Sequence, residues 1–232
     1  MDLRFFVTGH GRSGTLWLAR VLNRCDPTVN VHHEPLGQFD AARYAAAYER
    51  GAPATERWLR QRVTRMERIW ERHPDQGYAE VNSYLRYCVP RLREVFDVPV
   101  AALVRDGRYV VRSMLARGCY TRAGYPPIQP PQSMSPFAAC CWYWADTYRR
   151  LIPLGVRFWR LEDVNARWPS FRSLCNEVGL DADRGVWTAN VNRRANVGVG
   201  DAPLDWDAAH TAAFEMLAGD VQEFFEYPME GE

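Results

Sequence analysis

Lysine is absent from the sequence, and all 29 basic residues are arginine. Mechanisms that depend on an amine side chain, such as Schiff-base formation or attack by a lysine nucleophile, are therefore excluded. Net charge is also nearly absent, because 28 acidic residues leave a formal charge of +1. Neither nucleic acid nor an anionic membrane is predicted as a partner, so any anion site must come from a local cluster of donors.

The sequence also lacks a cysteine pattern that would hold a metal or a disulfide framework. Its six cysteines show neither CxxC spacing nor a cluster with histidine, so we expect reduced thiols and no bound metal. No apolar run is long enough to span a membrane, and the first residues include the charged Asp2 and Arg4. We therefore expect a cytoplasmic protein without an export signal or a membrane anchor.

The residues that are present predict an α/β protein. A chain of 232 residues, 47% hydrophobic and 25% charged, predicts a single domain spanning residues 1–232. Apolar runs predict strands at Leu3–Thr8, Gly77–Val81, Val98–Val104 and Val156–Leu161. Helical spacing predicts a helix after Gly14, two within Ala41–Arg72, and further helices at Leu85–Phe96, Pro136–Leu151 and Asp207–Phe225. Strands that alternate with helices indicate a mostly parallel central sheet flanked by helices.

One segment interrupts this alternation. Arg117–Ser135 contains Gly118, Gly124 and four prolines, which predict an irregular surface loop. Loops of this length often cover a binding site. Tyr120 and Tyr125 are its candidates for contacting a ligand.

The loop from Gly9 to Thr15 is the main candidate for an anion site. It follows the first predicted strand and opens the first predicted helix. Glycine lets the backbone approach a phosphate closely, and a helix N-terminus presents free N–H groups and partial positive charge. Arg12, Ser13 and Thr15 add side-chain donors.

The glycines alone leave several interpretations open. A nucleoside triphosphatase loop needs Lys directly after its second Gly, where this chain has Thr15. Gly9, Gly11 and Gly14 spell G-x-G-x-x-G, and Glu34 stands twenty residues after Gly14, as in an NAD(P)-dependent oxidoreductase. A non-catalytic nucleotide-binding protein is the third alternative.

Side chains of two motifs carry a resemblance to a known family. The run from Arg12 to Trp17 resembles the 5′-phosphosulfate loop of sulfotransferases that use 3′-phosphoadenosine 5′-phosphosulfate (PAPS), with Arg at the basic position as in Golgi and protein-tyrosine enzymes. Arg105 and Ser113, eight residues apart, resemble the family's 3′-phosphate site. Arg160–Val164 resembles its strand-end Glu-Asp-Leu segment. The chain thus resembles a bacterial member with a P-loop-like three-layer fold.

The resemblance implies PAPS as co-substrate, 3′-phosphoadenosine 5′-phosphate (PAP) as product, and no metal. It also implies a set of donor-binding residues, which are Gly11, Arg12, Ser13, Gly14, Thr15, Leu16, Trp17, Arg105, Ser113, Arg193 and Arg194. Arg193 and Arg194 fall where the family has a late basic segment. Trp17 either stacks on the adenine or belongs to the core.

The proton-accepting residue differs from that of one branch of the family. Where cytosolic sulfotransferases carry Lys-Thr-His, this chain reads Val81-Asn82-Ser83. His33 and Glu34 stand near the position where protein-tyrosine and carbohydrate sulfotransferases place a functional Glu. The resemblance therefore implies Glu34 as the base, His33 as the second candidate, and Arg12 as the cation that stabilises the leaving phosphate.

The expected reaction is sulfuryl transfer to a small acceptor. A hydroxyl is the first choice of acceptor group and an amine the second. The aromatic, proline-rich segment 117–135 indicates an acceptor with an apolar or aromatic part, such as a natural-product scaffold.

Overall fold

A computed structural model describes residues 1–37, 39–40, 52–122, 125–191 and 206–228, with the backbone alone at 52–55. The chain divides into two compact units. The sheet unit comprises Met1–Val104 and Leu154–Ala195, and the helical unit comprises Arg105–Pro153 and Asn196–Glu232. The single domain expected from composition stays a prediction.

The sheet unit contains a five-stranded parallel sheet. Its strands are β1 (Leu3–Gly9), β2 (Val29–His33), β3 (Gly77–Val81), β4 (Val100–Val104) and β5 (Arg157–Arg160). They are arranged in the order β2-β3-β1-β4-β5, so that β1 is central. Every residue of β3 and β4 is buried, as expected for strands covered on both faces.

Helices alternate with these strands along the chain. They are α1 (Thr15–Cys25), α2 (Ala52–Trp70), α3 (Val89–Phe96), α4 (Gly107–Leu115), α5 (Pro136–Leu151), α6 (Leu161–Ala166), α7 (Trp168–Glu177), α8 (Arg184–Asn190) and α9 (Ala208–Phe224). This architecture confirms the predicted α/β fold with a parallel sheet flanked by helices. Among the described helices, none is both long and apolar enough to cross a membrane.

The core of the sheet unit forms where α1 covers the sheet. Leu18 and Leu22, one helical turn apart, are both fully buried with Phe5 and Val7 of β1. Burying a side chain of this size stabilises the fold by about 1.5–3 kcal/mol. This packing holds the loop before α1 at the end of β1.

Two predicted elements begin two or more residues later than expected. The helix expected from Leu85 begins at Val89, because Pro90 takes a position in the first turn of α3 and a 3₁₀ turn occupies Ser83–Leu85. The strand expected from Val98 begins at Val100, because Pro99 has no N–H to donate. Of the two helices expected within Ala41–Arg72, α2 is observed, whereas residues 41–51 lie outside the described residues.

The helical unit has its own core, in which α5 packs against α4 and α9. Trp144 and Tyr148 of α5 meet Phe214 and Phe225 in edge or tilted ring contacts. The bounds of α5 confirm the prediction, since Ser135 caps it by accepting from the Ala138 N–H and Pro136 begins it.

The predicted loop 117–135 is confirmed as irregular over its described part, where Tyr120 donates to the Ile128 carbonyl oxygen.

Candidate functional site

The loop between β1 and α1 has a backbone that its glycines make feasible. Gly9 has a φ of 142°, and a Cβ there would lie 2.2 Å from the Leu103 carbonyl oxygen of the neighbouring strand β4. Gly14 has a φ of 85°, and Arg12 itself takes a left-handed φ of 75°. The loop therefore turns sharply at the carboxyl end of the central strand, where ligands bind in open parallel sheets.

The N-terminus of α1 is open to an anion. The first hydrogen bond that α1 receives runs from the Leu18 N–H to the Gly14 carbonyl, at 3.0 Å. Gly14 at the N-cap provides no side-chain cap, and the first turn holds no acidic residue. The amides of Thr15, Leu16 and Trp17 thus point towards the loop with the positive end of the helix dipole.

The hydroxyl groups of the loop are buried. Ser13 is fully buried and Thr15 is 5% exposed. The Thr15 Oγ1 lies 3.1 Å from the Nε2 of His33, so the two share a hydrogen bond. Burial lowers the pKa of His33, and the charge of Arg20 lowers it further, whereas the Glu34 carboxylate acts in the opposite direction. A neutral His33 therefore faces the phosphate loop.

Glu34 lies beside the same loop, immediately after β2. Its backbone takes a left-handed φ of 45°, and its N–H donates to the Val81 carbonyl at 3.3 Å. The hydroxyl of Ser83 donates to its Oε1 at 2.5 Å, and the His33 Nε2 lies 4.0 Å from that oxygen. The Ser83 Oγ would lie 3.7 Å from a Cβ placed on Gly11, so Ser83 also lies beside the loop.

A buried charge network lies under the turn that carries Ser83. The Arg62 guanidinium, fully buried, donates to Asp40 and to Glu80. The amide of Asn82 donates to the same two carboxylates at 3.0 and 2.9 Å. Burial raises the pKa of Asp40, and the Arg62 charge opposes that shift. Paired ions buried in this way hold their surroundings in one arrangement.

Arg105 and Ser113 lie where the second motif predicts them. Arg105 directly follows β4, and Ser113, 9% exposed, lies within α4. Asp106 caps α4 by accepting from the Arg108 N–H at 3.0 Å, and it pairs with the Arg108 side chain.

The start of α4 is held from the C-terminal helix of the helical unit. Gln222, fully buried, accepts from the Gly107 N–H at 3.1 Å and donates to Asp106 at 2.9 Å. A Cβ on Gly107 would lie 2.8 Å from the Trp144 ring, so α4 and α5 meet closely at that point. These contacts fix the helix that carries Ser113.

Three solved structures that are similar to this chain are sulfotransferases or sulfotransferase domains. The sulfotransferase domain of the Synechococcus PCC 7002 olefin synthase is 16% identical, with a TM-score of 0.58, over 97% of this chain and 94% of that one. The sulfotransferase domain of the curacin biosynthetic pathway is 14% identical, with a TM-score of 0.54, over 100% and 94%. Mouse sulfotransferase SULT7A1, complexed with PAP, is 14% identical, with a TM-score of 0.61, over 96% and 85%.

The chain has the sulfotransferase fold. At 14–16% identity these likenesses establish the fold and leave the activity to be argued from the site. No protein-family model and no curated protein matches the sequence.

The sulfotransferase fold also weighs against the oxidoreductase alternative. A dinucleotide-binding fold places its second strand directly beside its first. Here β3 lies between β2 and β1, so Glu34 follows an edge strand one position further from the loop. Glu34 is therefore not placed as the acid that binds a dinucleotide ribose.

Of the expected donor-binding residues, Trp17 lies in the core of the sheet unit. The Trp17 side chain is 6% exposed within the core, and its indole N–H donates to the Asn190 carbonyl at 3.1 Å. Packing thus accounts for the ring, while the adenine contact stays a prediction. Arg193 and Arg194 lie outside the described residues.

Among the described residues, no cluster of His, Cys, Asp or Glu is arranged to hold a metal ion, and all six cysteines are free and buried.

The sequence predicts roles for Glu34 and His33 but not the residues that contact them. Ser83 and Asn82 enter only as a departure from Lys-Thr-His, and nothing in the sequence indicates that Arg86 donates to the Ser83 carbonyl. One signal was present, since Glu80 is a charged residue inside a buried strand and therefore requires a buried partner. The identity of that partner, Arg62, does not follow from spacing.

Proposed function

We propose that this protein is a sulfotransferase that moves a sulfuryl group from PAPS to a hydroxyl of a small acceptor. The observation that carries the proposal is the pairing of an anion-binding loop with a carboxylate. The loop from Gly9 to Thr15 follows the central strand, and Glu34 stands next to His33, whose ring shares a hydrogen bond with Thr15 of that loop. An enzyme that transfers an anionic group to a hydroxyl needs these two functions together.

The chemistry assigns a role to each part. The acceptor oxygen forms a bond to sulfur while the bond from sulfur to the 5′-phosphate oxygen breaks, and the acceptor proton must leave. Glu34 takes that proton, with His33 as the second candidate. The guanidinium of Arg12 stabilises the charge that develops on the leaving phosphate.

Donor binding is proposed residue by residue. The phosphosulfate end is assigned to the side chains of Arg12, Ser13 and Thr15 and to the backbone of Gly11, Gly14, Leu16 and Trp17. Their support is the open N-terminus of α1. The 3′-phosphate is assigned to Arg105 and Ser113, supported by their positions after β4 and within α4. Arg193 and Arg194 are carried as further 3′-phosphate contacts on the resemblance alone.

The acceptor is proposed to be a small molecule with an apolar or aromatic part, with an amine as the second acceptor group. Two of the similar structures are domains from an olefin synthase and from the curacin biosynthetic pathway, which supports a natural-product acceptor. Cytoplasmic location stays a prediction.

Glu34→Gln tests the assignment of the base. The amide keeps the shape of the side chain but cannot accept the acceptor proton, so transfer should fall by roughly a hundredfold or more. Binding of PAP, measured by calorimetry, should change by less than about twofold, because the carboxylate does not contact the phosphates in this scheme. Transfer is followed with sulfur-labelled PAPS and a panel of phenols.

The matched control is Glu177→Gln, which makes the same chemical change where Glu177 pairs with Arg157, the first residue of β5. Full turnover in Glu34→Gln would remove Glu34 from the mechanism and make His33 the base.

A further inference from the structure

Ser83 makes a directed contact with the carboxylate that the proposed function uses as its base. Its Oγ lies 2.5 Å from the Glu34 Oε1, and the residue is only 4% exposed. An ionised carboxylate has lone pairs and no proton to give, so the hydroxyl must be the donor. The contact therefore engages one named oxygen of Glu34 and fixes where the Ser83 proton points.

The backbone of Ser83 is held on both sides. Before it, the Asn82 N–H donates to the Val7 carbonyl of β1 at 2.8 Å, and the Asn82 side chain caps the 3₁₀ turn by accepting from the Tyr84 N–H. At Ser83 itself, the carbonyl accepts from the buried Arg86. A hydroxyl on such a turn has little freedom to move away from its acceptor.

The buried charge network continues this support. The Asn82 side-chain amide donates to Asp40 and Glu80, and both of these carboxylates accept from Arg62. Each of the four residues is fully buried. The Ser83 hydroxyl is therefore anchored, through its neighbour, to fixed charges in the interior of the sheet unit.

Glu34 is held less firmly by its own backbone. Its φ of 45° lies in the left-handed region, which a residue with a side chain occupies at some cost. Its backbone contacts are an N–H bond of 3.3 Å to Val81 and a carbonyl bond of 3.0 Å from Gly37. Among the described residues, the Ser83 hydroxyl makes the hydrogen bond to this carboxylate, and the His33 Nε2 lies 4.0 Å from the same oxygen.

We propose that Ser83 is a positioning residue that holds Oε1 of Glu34, so that Oε2 is presented to the acceptor hydroxyl beside the phosphate loop. This inference rests on the proposed function and names the second residue of its proton-accepting site. Ser83 donates a hydrogen bond and does not exchange its own proton. Glu34 remains the group that takes the acceptor proton.

A double-mutant cycle tests the inference. Ser83→Ala is made alone and together with Glu34→Gln, and labelled PAPS with the best phenol of the panel reports kcat. Ser83→Ala alone should lower kcat by about tenfold or more, with the Kd for PAP changed by less than about twofold. In the Glu34→Gln background, the same substitution should lower kcat by less than about twofold, because the carboxylate through which Ser83 acts is gone.

Thr8→Val is the matched control. Thr8, in β1, also has a buried hydroxyl, which donates to the carbonyl of Asn82 next to this turn at 3.1 Å rather than to Glu34. Its kcat should stay within about threefold of wild type, and thermal melting of each variant reports stability separately.

Equal losses of kcat in both backgrounds, or an unchanged kcat in Ser83→Ala, would overturn the inference while leaving the proposed function intact. A wild-type protein that neither binds PAP nor transfers sulfur would instead contradict the proposed function itself.

Discussion

His10 lies within the phosphate loop with 2% of its surface exposed, and its surroundings keep it neutral. Burial and the nearby charge of Arg86 lower the pKa of His10 to about 3. Its Nδ1 donates to the Gly11 carbonyl at 2.5 Å, and a neutral ring with its proton on Nδ1 can make this bond. The loop thus gains a fixed hydrogen bond without a second buried cation beside Arg86.

This environment predicts an acid sensitivity that belongs to one side chain. In the unfolded chain His10 takes up a proton below about pH 6.5, whereas the folded protein resists protonation down to about pH 3. The contribution of neutral His10 to the stability of the fold is therefore fully present above about pH 6.5. It is lost progressively as the pH falls from about 6.5 towards 3. The slope is about 1.4 kcal/mol per pH unit, or roughly 2 kcal/mol lost at pH 5.

His10→Asn keeps a donor for the Gly11 carbonyl but does not titrate. Urea unfolding at pH 7.5 and pH 5 should show that the variant loses about 2 kcal/mol less between the two values than wild type does. His73→Gln, at an exposed histidine, is the control and should retain the wild-type dependence. An unaltered pH dependence in His10→Asn would show that other groups cause it.

For single residues, the sequence predicts which residue types the site needs but not which side chains contact one another. Glu34 and His33 follow from a motif. Ser83 lies 49 residues from Glu34, and their contact exists because the carboxyl ends of β2 and β3 are neighbours in a parallel sheet. That pairing has no signature in the spacing of either residue.

The site depends on one strand–loop–helix element, which consists of β1, the phosphate loop and α1. Two glycines of this element look equivalent in the sequence but differ in space. A Cβ on Gly9 would overlap the Leu103 carbonyl oxygen at 2.2 Å, whereas one on Gly11 would reach the Ser83 hydroxyl at 3.7 Å, an ordinary contact. Gly9 also has a positive φ, and Gly11 does not.

Gly9→Ala should therefore destabilise the protein by about 2 kcal/mol or more, because backbone has to move away from backbone. Gly11→Ala should change the free energy of unfolding by less than about 1 kcal/mol. Urea unfolding of the two variants beside wild type makes the comparison. Equal losses would mean that the close approach of β1 and β4 is not as tight as described.

The predictions for whole elements succeeded where local signals were strong. Ser135 and Pro136 define the start of α5, and the apolar runs define β1, β3, β4 and β5. Strand β2 was not predicted, because this five-residue edge strand includes Asn30, His32 and His33 and buries only Val29 and Val31. The short helices between Leu161 and Asn190 were also missed, since one or two turns carry little periodicity.

For the whole molecule, strand order distinguishes interpretations that the glycines leave open. The order β2-β3-β1-β4-β5 places the loop at the end of the central strand and puts β3 between that strand and β2, the strand that Glu34 follows. Sequence patterns predicted the α/β class and the parallel sheet, and the resemblance supplied the fold. The order of the strands is a long-range property and had to come from the structure.

The central claim is that the protein binds the nucleotide of PAPS, and thermal melting with PAP, NAD and ATP in parallel tests it without knowledge of the acceptor. PAP should raise the melting temperature progressively, corresponding to about 2.7 kcal/mol at a hundred times its Kd. Arg105→Ala should weaken PAP binding by roughly tenfold or more. Arg112→Ala is the matched control, because it removes an equal charge that also lies 5.5 Å from the centre of the Tyr109 ring. This variant should bind PAP as wild type does. Stabilisation by NAD alone, with none by PAP, would contradict the account.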